Sequence, residues 1–240
     1  MHTQIQNTES LSNTNSDLEF VKQTIEFYGR QMASHPLCGV LHGEHVPKAL
    51  LLEYAGIQYV DSVLWVPMLA LMKDRAKNPR LRKALTDNIL CEAGATHTSH
   101  ITLCHDFVKS AGITPFFGDF QRFSNLAHHP IEMMNAVSGM SEAQIAGWAL
   151  VAEAIVPELF KMALAGFRAL PNVDTKYLEE HIAVDSDEHA QWMLESVTEL
   201  LAEGVALDEI LSGVHLGGRT ALSVPDGLYA KYLRGEYRVS

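Results

Sequence analysis

Residues 45–72 read HVPKALLLEYAGIQYVDSVLWVPMLALM. The stretch is long and mostly apolar and shows no strand-like alternation. It therefore predicts one or two buried helices, entered near Pro47 and bent near Pro67. Upstream, Leu18, Val21, Ile25 and Tyr28 fall at helical spacings until Pro36 interrupts them. Downstream, Arg80 to Ser110 is a second long helical stretch, stopped by AGITP. Ser141 opens another helix, with Glu142 in its first turn. This helix runs through Gly166 with Pro157 inside, and Pro171-Asn172 breaks it. Asp174 to Glu203 reads as one further helix, with Asp174 or Thr175 as N-cap and Gly204 after its end. The tail from Gly213 reads as two loops and a short amphipathic piece. The expected fold class is all-α: about seven helices in a single bundle-like domain over residues 17–240. The polar start, residues 1–16, lacks the basic-then-apolar order of a signal peptide and reads as a disordered lead.

Bulk properties narrow the function. The 240 residues are 47% hydrophobic and 20% charged, enough for one domain with a sizeable core. A net charge of -11 leaves no basic footprint for nucleic acid or an anionic membrane. No apolar run approaches the ~20 residues of a membrane helix. Cys38, Cys91 and Cys104 are scattered and odd in number, which fits a reducing cytosol better than a disulfide framework. A cytoplasmic location is expected. The expected partners are a small molecule and, at most, a second copy of the chain in a homodimer.

Three segments could carry chemistry. In EEHIAVDSDEHAQW (179–192), at roughly 100° per residue, Asp185 lies about 40° from His181, Glu188 about 20° to one side and His189 about 80° to the other. In NILCEAGATHTSHITLCHDFV (88–108), Glu92 sits among apolar neighbours. His100 lies about 80° from it and His97 about 140° away on the same predicted helix. In AGWALVAEAIVPELF (146–160), Glu153 is the only charge from Gly147 to Pro157. Buried without a partner it would cost several kcal/mol, so it either points out of the bundle or meets a cation. Solvated faces and satisfied core histidines explain each segment singly. Together, hard oxygen donors and imidazoles on three helices, with no thiolate, suit iron or manganese.

At these residues the chain resembles the haem-oxygenase-like di-iron oxidases, over about His35 to Leu200. The resemblance is carried by HPL (35–37), R-x-x-L-x-x-N (Arg82 to Asn88), Glu92 with Gly94, His100, Glu153 ahead of Pro157, and HIAVDSDEH (181–189). It implies a haem-oxygenase-like bundle holding two Fe(II)/Fe(III) ions on Glu92, His100, Glu153, His181, Asp185 and His189. Glu92, Glu153 and Asp185 would serve catalysis, with O2 as cosubstrate. In several members the last histidine lies seven residues after the first. Here that position is Glu188, which could replace His189 or add to it. The resemblance further implies an oxidase or oxygenase of a small amino-acid-type substrate in natural-product biosynthesis. In length, polar leader and helical plan the chain resembles nitrile-forming members that convert a halogenated tryptophan to an indole-3-carbonitrile. Aromatic pocket walls are expected from Phe107, Phe116, Phe117, Phe120, Trp148 and Trp192.

Three alternatives stand beside this reading. A thiaminase-like hydrolase of the same fold would use Cys104 or Cys91 as nucleophile, with His100 or His105 nearby. A helical metal-binding module would have no enzymatic activity. A haem protein would need an axial histidine, and no single one stands out.

Overall fold

Nine helices and no strand occur among the described residues of the computed structural model. These are residues 2–95, 98–114, 134–184 and 188–237, with side chains described from residue 14 onward except at 184. The helices are α1 (His2–Ala33), α2 (Pro36–Leu41), α3 (Lys48–Arg75), α4 (Pro79–Glu92), α5 (His100–Ser110), α6 (Glu142–Arg168), α7 (Lys176–Val184), α8 (Ala190–Ala202) and α9 (Leu207–Leu233). The all-helical expectation holds, with nine helices in place of about seven. α1 begins at His2 and so includes the polar stretch expected to lead into the domain.

Two boundaries differ from the sequence reading, each for a local reason. The stretch 80–110 is two helices. At the end of α4, Gly94 takes φ 84°, a left-handed conformation that favours glycine. The Gly94 and Ala95 amides donate to the carbonyls of Cys91 and Leu90, which closes the helix in a Schellman arrangement. Ser99 then caps α5 through the Thr102 amide. In the stretch 174–203 the described residues form α7 and α8, with Glu188 and His189 in π-helical conformation just ahead of α8; residues 185–187 lie outside the described residues. The tail is a 27-residue helix rather than loops. Its glycines read as breakers, yet three of the four, Gly213, Gly217 and Gly218, sit where neighbours leave no room for a Cβ: one on Gly213 would lie 2.1 Å from the Gln144 carbonyl oxygen.

α6 is the central element, packed by α1, α2, α3, α7, α8 and most extensively α9. Its N-terminus is a capping box: Ser141 Oγ accepts from the Gln144 amide, and the Gln144 side chain accepts from the Ser141 amide. Ser141→Ala is expected to cost about 1 kcal/mol. Urea unfolding should show a lower midpoint at unchanged slope.

The buried apolar residues form two groups. One is built on Met68, Trp148, Ala152 and the α8 side chains. The other is built on Tyr54, Phe107, Leu159, Phe160 and Phe167. By length and composition α3 could cross a membrane, which qualifies the expectation that no such run exists. Here Leu50, Leu51, Tyr54, Leu69 and Met72 are buried in the core.

Three of the four long helices contain a proline: Pro67 in α3, Pro157 in α6 and Pro225 in α9. A proline removes the bond to the carbonyl four residues earlier and crowds that turn. The carbonyls concerned belong to Val63, Glu153 and Ala221. Glu153 and Ala221 line a cavity at the seam between the two core groups, and Val63 stands between Ser62 and Leu64, which line it too.

Candidate metal centre

The break at Gly94 brings Glu92 and His100 together. One ends α4, the other starts α5, and His100 Nδ1 lies 2.9 Å from Glu92 Oε2. A continuous helix would have set them about 80° apart. Both are buried, at 6% and 1% exposure. His97 lies outside the described residues, and His105 faces solvent beside Asp106.

Glu153 is buried at 2% exposure, so the outward-pointing alternative does not hold. The Asn88 amide of α4 donates to its Oε1 at 2.5 Å, and His189 Nδ1 lies 3.4 Å from its Oε2. No lysine or arginine pairs with Glu92 or Glu153 among the described residues; their ionic partners are the two histidines.

His181 approaches from α7. Its Nδ1–H donates to the Tyr177 carbonyl at 2.8 Å, which places the lone pair on Nε2. Burial, with His100 and His189 close by, holds the imidazole well below its usual pKa and so neutral. Its ring lies 4.2 Å from that of His100, and the His100 and His189 rings are 6.3 Å apart. One donor atom each of Glu92, His100 and His181 lie within 4.8 Å of one another.

Of the two residues left open by the sequence, His189 is fully buried and Glu188 is exposed. The π-helical turn gives a physical reason. It takes up one extra residue per turn, so a histidine eight positions after His181 can return to the face that a regular helix reaches in seven. Asp185 lies outside the described residues.

The donor set fits a hard divalent cation. Two carboxylates buried without Lys or Arg, beside three buried imidazoles of which His181 is neutral, carry a desolvation cost that such an ion offsets. The Tyr177 carbonyl behind His181 and the Asn88 amide behind Glu153 supply the orienting contacts that metal ligands need.

Beside this cluster lies a cavity of about 140 Å³. Glu92, Glu153 and His181 line it, and Trp65, Met68, Trp148, Val156 and Phe160 supply apolar surface. Of the expected aromatic walls, Trp148 lines the cavity, and Trp192 lies 5.2 Å from the His189 ring instead. Phe107 is core, packed on Phe167 and Tyr177. Phe116, Phe117 and Phe120 lie outside the described residues. The cavity residues missed from sequence include Gln58, Asp61 and Trp65 of α3. Asp61 is the only charge between Glu53 and Lys73, the same signal that singled out Glu153.

The cysteine alternative finds no support. Cys104 is fully buried, and desolvation pushes its thiol up to about 12. A nucleophilic thiol needs a lowered pKa and access. Cys91 is buried as well. Cys104→Ala is therefore expected to change turnover less than tenfold. Iodoacetamide should label Cys38 alone in the folded protein, as mass spectrometry of tryptic peptides would show.

Among curated proteins, none matches the chain in sequence. A family described as iron-containing redox enzymes matches residues 52–219, more than two thirds of the chain and every described residue of the Glu/His cluster. With its helical fold and buried Glu/His cluster, the chain belongs to this haem-oxygenase-like family of iron-containing redox enzymes.

Proposed function

We propose that the protein is an O2-dependent, non-haem di-iron oxidase of a small amino-acid-type substrate. The observation carrying this reading is the convergence of Glu92, His100, Glu153, His181 and His189, all buried, beside an apolar cavity. Asp185 would complete six ligands for two irons, three imidazoles and three carboxylates. When bound, the irons would activate O2 to oxidise a C–H or N–H bond next to the substrate amine.

The remaining contributions belong to the chain. His181 keeps its proton on Nδ1, held by the Tyr177 carbonyl, and presents Nε2 to the metal. Asn88 fixes the Glu153 carboxylate, so its free lone pairs face the cluster. Trp65 and Trp148, with rings 5.8 Å apart, and Phe160 exclude water from the cavity. The most specific form of the proposal is oxidation of a halogenated tryptophan to an indole-3-carbonitrile. Aromatic cavity walls suit an indole, and the sequence resemblance points the same way.

The test is anaerobic titration of apo-protein with Fe(II), then stopped-flow mixing with O2, with and without a panel of amino acids that includes halogenated tryptophans. The expected result is two irons per chain and O2 consumption accelerated by one substrate, with its product identified by mass spectrometry. Absence of iron uptake, or O2 consumption indifferent to every compound, defeats the reading.

A further inference from the structure

The cavity contains polar groups that the metal-centre account does not use. Gln58, Asp61, Ser62, Trp65 and Met68 follow one another at helical spacing on α3 and all line it. Asp61 makes no ion pair or hydrogen bond with any described residue, and burial alone pushes its carboxyl up to about 7. Gln58 is 3% exposed, and its Nε2 finds no hydrogen-bond partner among the described residues. Trp148 Nε1, from α6, is in the same condition. A buried N–H left unpaired is destabilising, and a carboxylate held out of water without a cation is more so. Three such groups around one apolar cavity form a complementary set: one acceptor carrying negative charge and two neutral donors. Ser62 is already engaged with the Tyr177 hydroxyl at 2.8 Å and does not satisfy them.

We propose that Asp61 binds the protonated amine of the substrate, while Gln58 Nε2 and Trp148 Nε1 donate to its carboxylate or carbonyl oxygen. The apolar part of the molecule then lies against Trp65, Met68 and Val156. This inference deepens the oxidase reading and rests on it for the word substrate; as a binding site it stands on the cavity alone. An incoming ammonium supplies the counter-charge that Asp61 lacks. Glu92, Glu153 and His181 line the same cavity as Asp61, so a molecule held there by its amine shares that cavity with the metal cluster.

The experiment compares three indole probes on iron-loaded protein: L-tryptophan, indole-3-propionate, which lacks the amine, and tryptamine, which lacks the carboxylate. A panel of the other common amino acids, with their amine-free and carboxylate-free counterparts, covers other side chains. Calorimetry gives Kd, and iron per chain is measured on each sample. Asp61→Asn, close in volume, is expected to weaken amine-bearing ligands by about thirtyfold or more, with amine-free binding and iron content unchanged. Gln58→Leu is expected to weaken carboxylate-bearing ligands by about tenfold and to spare tryptamine-type ones. Equal loss across all three ligand types, loss of iron in Asp61→Asn, or no binding of any amine would overturn the inference. Substrate-stimulated O2 uptake with an amine-free compound would leave the oxidase reading standing and defeat this one. Amine binding through Asp61 without O2 uptake would do the reverse.

Discussion

Glu153→Ala is expected to weaken iron binding by at least about a hundredfold and to abolish substrate-stimulated O2 uptake. Contacts one step removed from a metal already cost about 10–100-fold in affinity when lost, and a ligating carboxylate should cost more. Glu153 stands on the central helix α6, held by Asn88 and facing His189 at 3.4 Å. It lines the same cavity as Glu92 and His181, so its removal reaches both halves of the site. The loss is also readable without turnover. A ligand at a hundred times its Kd stabilises a fold by about 2.7 kcal/mol, so the variant should lose most of the iron-induced rise in unfolding temperature. Its metal-free unfolding should stay near wild type, which separates a failed site from a failed fold. Iron uptake equal to wild type would remove Glu153 from the metal site and leave the buried carboxylate unexplained.

The sequence makes some of this site legible and conceals the rest for identifiable reasons. Glu153 shows itself because a lone charge inside an apolar helix is costly, and Asp61 carries the same signal. Glu92 and His100 are visible as residue types, but their meeting depends on the helix break. Gly94 marks that break once its left-handed turn is known, whereas the apolar period reads on through it. His189 looks misplaced by one residue because ideal helical angles take no account of a π turn. The pairings of Asn88 with Glu153 and of Tyr177 with His181 join separate helices or use a backbone carbonyl. No periodicity in one strand of sequence encodes the first, and any residue type could provide the second. The all-helical class was legible throughout, because long segments with helical period must bury an apolar stripe against one another.

The tail shows how the same residue type can carry opposite meanings, and two substitutions in α9 test it. Glycine inside a helix costs about 0.5–1 kcal/mol relative to alanine, so Gly→Ala should stabilise wherever space permits. Gly227 has nothing within 4 Å of an added Cβ, and Gly227→Ala is expected to gain that amount. At Gly213 the added Cβ would sit 2.1 Å from the Gln144 carbonyl oxygen and 2.8 Å from its carbon, backbone atoms that no rotamer change can move. The helices must separate there, and on the opposite side of the contact Gly147 meets the Ile210 carbonyl just as closely. Prying apart this crossing also disturbs the buried side chains packed along it, so Gly213→Ala is expected to cost about 3 kcal/mol net despite its better propensity. For a chain of this size that is roughly 6–12 °C in unfolding temperature, against a rise of a few degrees for Gly227→Ala. Thermal unfolding of the two variants, recorded by circular dichroism at matched concentration, reads both signs. A Gly213→Ala protein as stable as wild type would mean that α6 and α9 do not approach through their glycines. The tail would then need another reason to be a helix.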